Sequence, residues 1–301
     1  MNSFTRRRFL QVSAAAGAQC MLAGPTQGSS TRGMRLGVIA SIGDDPDRAI
    51  ARVREFGFPT CQVETERYTL ELAARLRTAL ERRGVEATAL IALGGGRMVW
   101  DFYEGPLTIG IVPRATRRER IDSLKEGSDF ARQAGIAALH THCGFIPEDP
   151  NQDLYKEAVE AIREVASHCK DKGQMFLYET GQETPITLLR AIQDVGLDNQ
   201  GVNLDTANLI LYGKGNPLDA LDILAPYVRG LHAKDGLYPT DPKQLGKEVP
   251  IGQGKVDFPR IIQRLKELGY RGPITIEREI SGPQQTEDIL KAKAYLEKLI
   301  A

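Results

Sequence analysis

The chain has 301 residues, 42% of them hydrophobic, enough to bury one large core or two small ones. Lysine plus arginine and aspartate plus glutamate each total 39, which excludes the broad basic field of a nucleic-acid binder, though not a local patch. After the first thirty residues no run is apolar enough to span a bilayer.

The first thirty residues stand apart. Thr5 to Gln11 reads TRRRFLQ and is followed by VSAAAGAQCMLAG, a short apolar run that ends before PTQGSSTRG. The twin arginine, the Phe-Leu pair and the short apolar region resemble a Tat export signal; an amphipathic N-terminal helix is the other reading. The resemblance implies that residues 1–30 are signal and linker, cleaved between Ala23 and Gly33. It also implies the Tat translocase as a partner during export and a periplasmic or otherwise exported location. Removing residues 1–30 deletes Arg6, Arg7 and Arg8 and no acid, so 39 basic residues become 36 against 39 acidic. Of the four cysteines, Cys20 lies in the signal. Cys61, Cys143 and Cys169 show no CxxC spacing and are expected to be lone buried thiols.

From residue 34 short apolar runs alternate with longer amphipathic ones. The first predicted strand, residues 34–41, is followed by a helix over PDRAIARVREFG, with Ile50, Val53 and Phe56 at helical spacing. A strand at 61–65 precedes TLELAARLRTALERRG, and one at 86–93 precedes a long connection, residues 94–114. The helix RRERIDSLKEGSDFARQAG leads to a strand at 137–143, and DLYKEAVEAIREVASHCKDKG to one at 175–180. The helix TPITLLRAIQDVG, a strand at 200–207 and the helix NPLDALDILAPY follow. A strand at 228–235 opens a second long connection, 236–256, before DFPRIIQRLKELG. The last strand, 272–279, precedes the closing helix TEDILKAKAYLEKLI. Glycine stops after most helices punctuate the series. Eight strands alternating with eight helices predict a single (β/α)8 TIM barrel over residues 34–301. An open doubly wound sheet is the runner-up, but no glycine-rich phosphate loop follows the first strand.

In a barrel, functional groups come from the carboxyl ends of the strands. Four successive ends carry metal-ligand types: Glu179 in LYET, Asp205 in NLDTAN, His232 in LHAKD and Glu277 in TIERE. Singly, each is compatible with a helix cap, an arginine partner or a satisfied core histidine. Together they form an oxygen-plus-imidazole set that suits one divalent ion, Mn2+ first, with Mg2+, Co2+ or Zn2+ as alternatives. Without a cation three carboxylates at one mouth repel. Lys234 should point the same way as His232 and pair with a site carboxylate or a substrate oxygen, while Asp235 points away as a loop anchor. His140 and His142 share one face of the fourth strand, with His142 the outer, a substrate contact or a structural residue, and His140 buried below it. Trp100, Phe102, Tyr178 and Tyr238 are candidates for an apolar wall against a bound ligand or for core, and Arg278 is expected to brace a neighbouring carboxylate. His168 is read as surface or packing.

The chain resembles the xylose-isomerase-like barrel superfamily of sugar and sugar-phosphate isomerases and epimerases. The resemblance rests above all on VPIGQGKVDFPRIIQRLKELGYRGPITIERE, residues 249–279, with LHAKD as a His-x-Lys-Asp element and WDFYEGPLTIGIVP (100–113) as a third-strand loop. It implies that Glu179, Asp205, His232 and Glu277 hold one divalent cation acting as a Lewis acid, and that Glu179 and Glu277 exchange protons on opposite faces of an enediolate. It implies a small-molecule sugar as partner and leaves open a homo-oligomer. Two departures stand out: Asn208 occupies a position where free-ketose epimerases carry a second histidine, and Tyr238 one where they carry an arginine. Both are read as altered substrate contacts.

The leading expectation is therefore an isomerase or epimerase of a non-phosphorylated sugar or sugar derivative, since phosphorylated sugars are mainly cytoplasmic. A lyase or hydratase on a keto-sugar, keto-glycoside or inosose shares the same intermediate. A non-catalytic exported sugar-binding protein is opposed by the paired glutamates. An apurinic endonuclease would need five histidines; the chain has four.

Overall fold

The structure is a computed structural model and describes residues 33–301; the expected export signal and Cys20 lie outside the described residues. The elements run β1 (Arg35–Ser41), α1 (Pro46–Glu55), β2 (Thr60–Glu64), α2 (Leu70–Arg83), β3 (Glu86–Ile91), α3 (Gly105–Thr108), α4 (Arg117–Ala134) and β4 (Ala138–Thr141). They continue α5 (Asp153–Asp171), β5 (Met175–Glu179), α6 (Pro185–Val195), β6 (Gln200–Asp205), α7 (Asn208–Leu211), α8 (Pro217–Leu224) and β7 (Val228–Ala233). The last are β8 (Asp235–Leu237), β9 (Lys247–Val249), α9 (Phe258–Glu267), β10 (Pro273–Ile276) and α10 (Pro283–Ile300).

Eight of these strands close a parallel barrel in the order β1-β10-β7-β6-β5-β4-β3-β2. The closed ring replaces the open-sheet alternative. Its strands are short because both faces are covered: β4 and β6 are buried along their whole length. The helices around it bury one stripe each, Ile50 and Val53 on α1 or Phe258, Ile261, Ile262 and Leu265 on α9. Their starts are fixed by side-chain caps, Asp45 accepting from the Arg48 N–H, Thr69 from Leu72 and Asp257 from Arg260.

The barrel ladder stops earlier than the sequence pattern predicts at several carboxyl ends. The predicted 272–279 strand keeps only Pro273–Ile276 in the sheet, and Glu277 is tied on by its N–H donating to the Ala233 carbonyl at 3.1 Å. Glu179, Asp205 and His232, by contrast, stay in the ladder, in register with Asn203, His232 and Thr275.

Both long connections are fastened. In residues 94–114, the fully buried Arg120 of α4 donates to the carbonyls of Gly95, Arg97 and Gly110 at 2.8–3.2 Å. Arg117 adds bonds to the Ile111 and Val112 carbonyls at 2.9 and 2.6 Å. In residues 236–256, β8 and β9 pair as a small antiparallel ribbon that the sequence pattern does not predict. Asp235 anchors it, as expected. Its carboxylate accepts from the N–H groups of Gly236, Gly252, Gly254 and Val256 at 2.9–3.1 Å. Only glycine fits at 254, where an added Cβ would stand 2.0 Å from Asp235 Oδ1.

Candidate metal centre and ligand cavity

The four strand-end residues meet. Glu179, Asp205, His232 and Glu277 each present one ligand atom, and these atoms lie within 4.8 Å of one another. Barrel register brings this about: Asp205 on β6 stands beside His232 on β7, and His232 beside Thr275, two residues before Glu277. His232 Nδ1 lies 3.2 Å from Glu179 Oε1, 2.9 Å from Glu277 Oε2 and 3.5 Å from Asp205 Oδ2.

A polar layer inside the barrel aims that imidazole. His232 Nε2 is 2.8 Å from Gln62 Oε1, and Gln62 Nε2 donates to Asn203 Oδ1 at 2.9 Å. The amide therefore takes the Nε2 proton and leaves Nδ1 for the carboxylates. Gly230 makes room for this layer, since a Cβ there would lie 2.4 Å from Asn203 Oδ1. Burial pulls the imidazole toward neutrality, but Glu277 and Glu179 override it and hold His232 well above its usual range.

Do these residues fit a cation? Among the described residues, the buried Asp205 Oδ2 and Glu277 Oε2 make no well-formed hydrogen bond, although His232 Nδ1 approaches both. Orphaned buried acceptors of one sign, converging with an imidazole nitrogen, are what a divalent ion satisfies. Three oxygens, one nitrogen and no thiolate form a hard donor set. The residues fit.

Glu179 has the most crowded surroundings. His140 Nε2 and His142 Nε2 each lie 3.0 Å from its Oε2, and Asn208 Nδ2 donates to Oε1 at 3.2 Å. Burial opposes its charge, yet His142, His140 and His232 hold the carboxyl well below the usual range. His140 is fully buried, as expected, edge-on to the His232 ring at 5.2 Å, and burial lowers its basicity.

Lys234 carries the balancing charge. Its ammonium is 1% exposed, 2.8 Å from Glu279 Oε1, 3.5 Å from Glu277 Oε2 and 3.9 Å from Asp205 Oδ2, with Asn208 Oδ1 at 3.2 Å. Burial disfavours the charge, but Glu277, Asp205, Glu279 and Glu179 hold it well above the ordinary lysine value.

A cavity of about 780 Å³ opens over this centre. Glu179, His232 and Glu277 form its floor; His142, Trp100, Ser41 and Glu64 line its sides. Of the expected substrate contacts, His142 and Trp100 are therefore at the cavity, their rings edge to face at 5.0 Å. Lys234 and Asn208 are not among its lining residues; they lie behind the carboxylates and act on Glu179 and Glu277 instead. Tyr238 is half exposed and also lines no part of it. Tyr178 is core, its hydroxyl bonded to Gln200. Arg278 braces Asp288 and Glu248, as expected, and His168 pairs with Asp129.

Sequence reasoning passed over Ser41 and Glu64, which meet at the ends of β1 and β2 with Ser41 Oγ donating at 2.5 Å. The strand-end rule that found the other four would have found Glu64. It also passed over Gln62 and Asn203, whose signal was a lone amide in an apolar run.

Comparison with known proteins agrees with this architecture. The chain belongs to the xylose isomerase-like TIM barrel family, whose model matches residues 50–299. It is similar to a xylose isomerase domain protein from Planctomyces limnophilus, with 34% identity, a TM-score of 0.82, and coverage of 90% of this chain and 98% of that one. It is 25% identical over 210 residues to L-ribulose-5-phosphate 3-epimerase UlaE of Shigella boydii, covering 64% of this chain and 68% of that protein. An uncharacterised protein of Methanocaldococcus jannaschii is 25% identical over 195 residues, 60% of this chain; the match spans 64% of that relative's length. Family and fold together make the chain a xylose isomerase-like barrel.

Proposed function

We propose that this protein is a divalent-metal-dependent isomerase or epimerase of a non-phosphorylated sugar or sugar derivative. One observation carries the reading: of the three carboxylates in the ligand set, Glu179 and Glu277 also reach the cavity, whereas Asp205 does not line it. A site that only held an ion would not need two carboxylates facing the ligand. A divalent cation bound by the four residues would supply Lewis-acid polarisation of a substrate carbonyl, and Mn2+ is our choice for the hard donor set. The protein's own groups do the rest. Glu179 and Glu277 remove and return a proton at the carbon beside that carbonyl. His142 meets a substrate oxygen, and Trp100 supplies a flat wall for the ring. Lys234 and Asn208 hold the two glutamates in place from behind.

The twin-arginine segment supports an exported, periplasmic protein, and hence a substrate without phosphate. That UlaE is an epimerase of a phosphorylated ketose is a statement about UlaE.

The test is incubation of Mn2+-loaded protein with a panel of keto-sugars and keto-glycosides in D2O, followed by NMR. The expected result is solvent deuterium at the carbon beside the carbonyl, abolished in Glu179→Gln and in Glu277→Gln. Loss of water or aglycone would move the assignment to a lyase, which the same paired glutamates accommodate. Binding without exchange across the whole panel would refute an enzymatic role.

A further inference from the structure

Two polar residues of the cavity wall have no task in the proposed chemistry. Ser41 and Glu64 stand in register at the ends of β1 and β2, which lie across the ring from β5 and β6. Both line the cavity, and Ile91, beside Glu64 on β3, continues the wall as an apolar surface. Ser41 Oγ donates to Glu64 Oε2 at 2.5 Å. Among the described residues no donor reaches Glu64 Oε1, and no lysine or arginine pairs with this carboxylate.

Donors and acceptors decide what such a wall can hold. The serine proton is already given to Glu64, so Ser41 keeps only lone pairs, and a carboxylate accepts throughout. The pair presents acceptors and one negative charge, and a ligand that donates completes it. A sugar hydroxyl donates, and its bond to a carboxylate is about twice as strong as one between neutral groups. A phosphate at neutral pH brings acceptors and negative charge of its own, and like charges set against each other repel. The arginines of the cavity do not cancel this. Arg278 is held by Asp288 and Glu248 at 2.8 and 3.0 Å. Arg48 and Arg52 come from α1, and Asp44 and Asp45 just before it line the cavity too, charge for charge.

We infer that Ser41 and Glu64 are specificity-determining residues: they form a hydroxyl-binding wall that takes the uncharged, hydroxyl-rich end of a ligand and turns away a phosphate or a carboxylate. The inference rests on the sugar reading of this cavity and narrows its substrate class. The selection follows from the wall itself and not from where the protein resides.

Trp100 is the chain's one tryptophan and lines the cavity, so its fluorescence reports occupancy without turnover. The full chain, loaded with Mg2+, is titrated with D-fructose, D-tagatose and methyl 3-keto-glucoside, and with the 1- and 6-phosphates of the two ketoses. At least one neutral sugar should bind, with the ketose phosphates at least about tenfold weaker. Glu64→Gln keeps the shape and removes the charge. It should weaken the neutral sugar about tenfold and strengthen the phosphates by a similar factor. Ser41→Ala leaves the carboxylate unbraced, should weaken the neutral sugar about threefold, and serves where the glutamine variant fails to fold. On a sugar that is turned over, Glu64→Gln should raise KM about tenfold with kcat little changed, as for a contact made equally before and during reaction. A phosphate that binds as tightly as its parent sugar overturns the inference, and Arg48→Ala then shows whether that arginine holds it. Neutral-sugar affinity that no folded variant changes overturns it as well. Absence of binding across the whole set, checked by calorimetry, refutes both this inference and the sugar reading. Proton exchange on a neutral sugar whose KM ignores Glu64→Gln sinks the inference and spares the sugar reading; Glu64-dependent binding with no exchange does the reverse.

Discussion

Asp235 offers the sharpest test of how the rim is held. It is 1% exposed and takes four backbone N–H groups on one carboxylate, those of Gly236, Gly252, Gly254 and Val256. A hydrogen bond to a charged group contributes about 1.5–3 kcal/mol, but four donors share one charge here and part of the loop can turn to water. At about 1 kcal/mol for each of four donors that share the charge, Asp235→Ala should cost about 4 kcal/mol, a large part of the roughly 5–15 kcal/mol that stabilises a folded protein. Asp235→Asn keeps one oxygen and points an amide N–H2 at two donors, so it should lose about 2–3 kcal/mol. Gly254→Ala attacks the same anchor from the other side, because its Cβ would stand 2.0 Å from Asp235 Oδ1 and 2.6 Å from the Gly236 nitrogen. Urea unfolding followed by far-UV CD measures all three, with the midpoint falling at unchanged slope. The double variant Asp235→Ala with Gly254→Ala should cost little more than either alone, since one anchor can be lost only once. A cost below about 1 kcal/mol for Asp235→Ala, or full additivity in the double variant, would refute the anchor.

Other outcomes are accessible to simple measurements. Burial pushes the Glu183 carboxyl up to about 8. An acid whose folded value is raised binds the extra proton in the native state, so its stabilising contribution is present below pH 4.5 and is lost as pH rises toward 8. Urea midpoints should fall over that window, and Glu183→Gln should flatten the profile. Lys234→Met strips the balancing charge from Glu277, Asp205 and Glu279, and should cost about 3–5 kcal/mol in metal-free protein. Added divalent cation should recover much of that loss; a metal-free unfolding midpoint equal to wild type would contradict the assigned role. Burial raises the thiols of Cys61 to about 12 and Cys169 to about 11, and Cys143 well above the ordinary range. None of these three should react with a disulfide reagent at pH 8 until urea unfolds the chain.

Most of the fold was written in periodicity. Runs covered on both faces and helices ending on glycine predict eight strands and eight helices, and the barrel closes as that pattern requires. The β8–β9 ribbon escaped because three-residue strands carry no period to read. Arg120 carried a faint signal, a charge beside the apolar Ile121 and Leu124 of α4, and its three carbonyl partners explain why it is buried. The ligand set was legible because residue type and strand end coincide four times. Lys234 meets site carboxylates, one of its two expected partners, whereas Asn208, read as a substrate contact, bonds Glu179 instead: sequence shows that a group points inward, not how deep it stops.

The four ligands occupy one unbroken arc of the ring, β5, β6, β7 and β10, while Ser41, Glu64 and the apolar Ile91 come from the facing arc, β1 to β3. If the four strand-end residues hold an ion, as proposed, its seat lies wholly on one arc, and only part of the cavity wall shares that arc. Substitutions at Ser41, Glu64 or Ile91 would then reshape the space above the cation without touching the atoms that grip it.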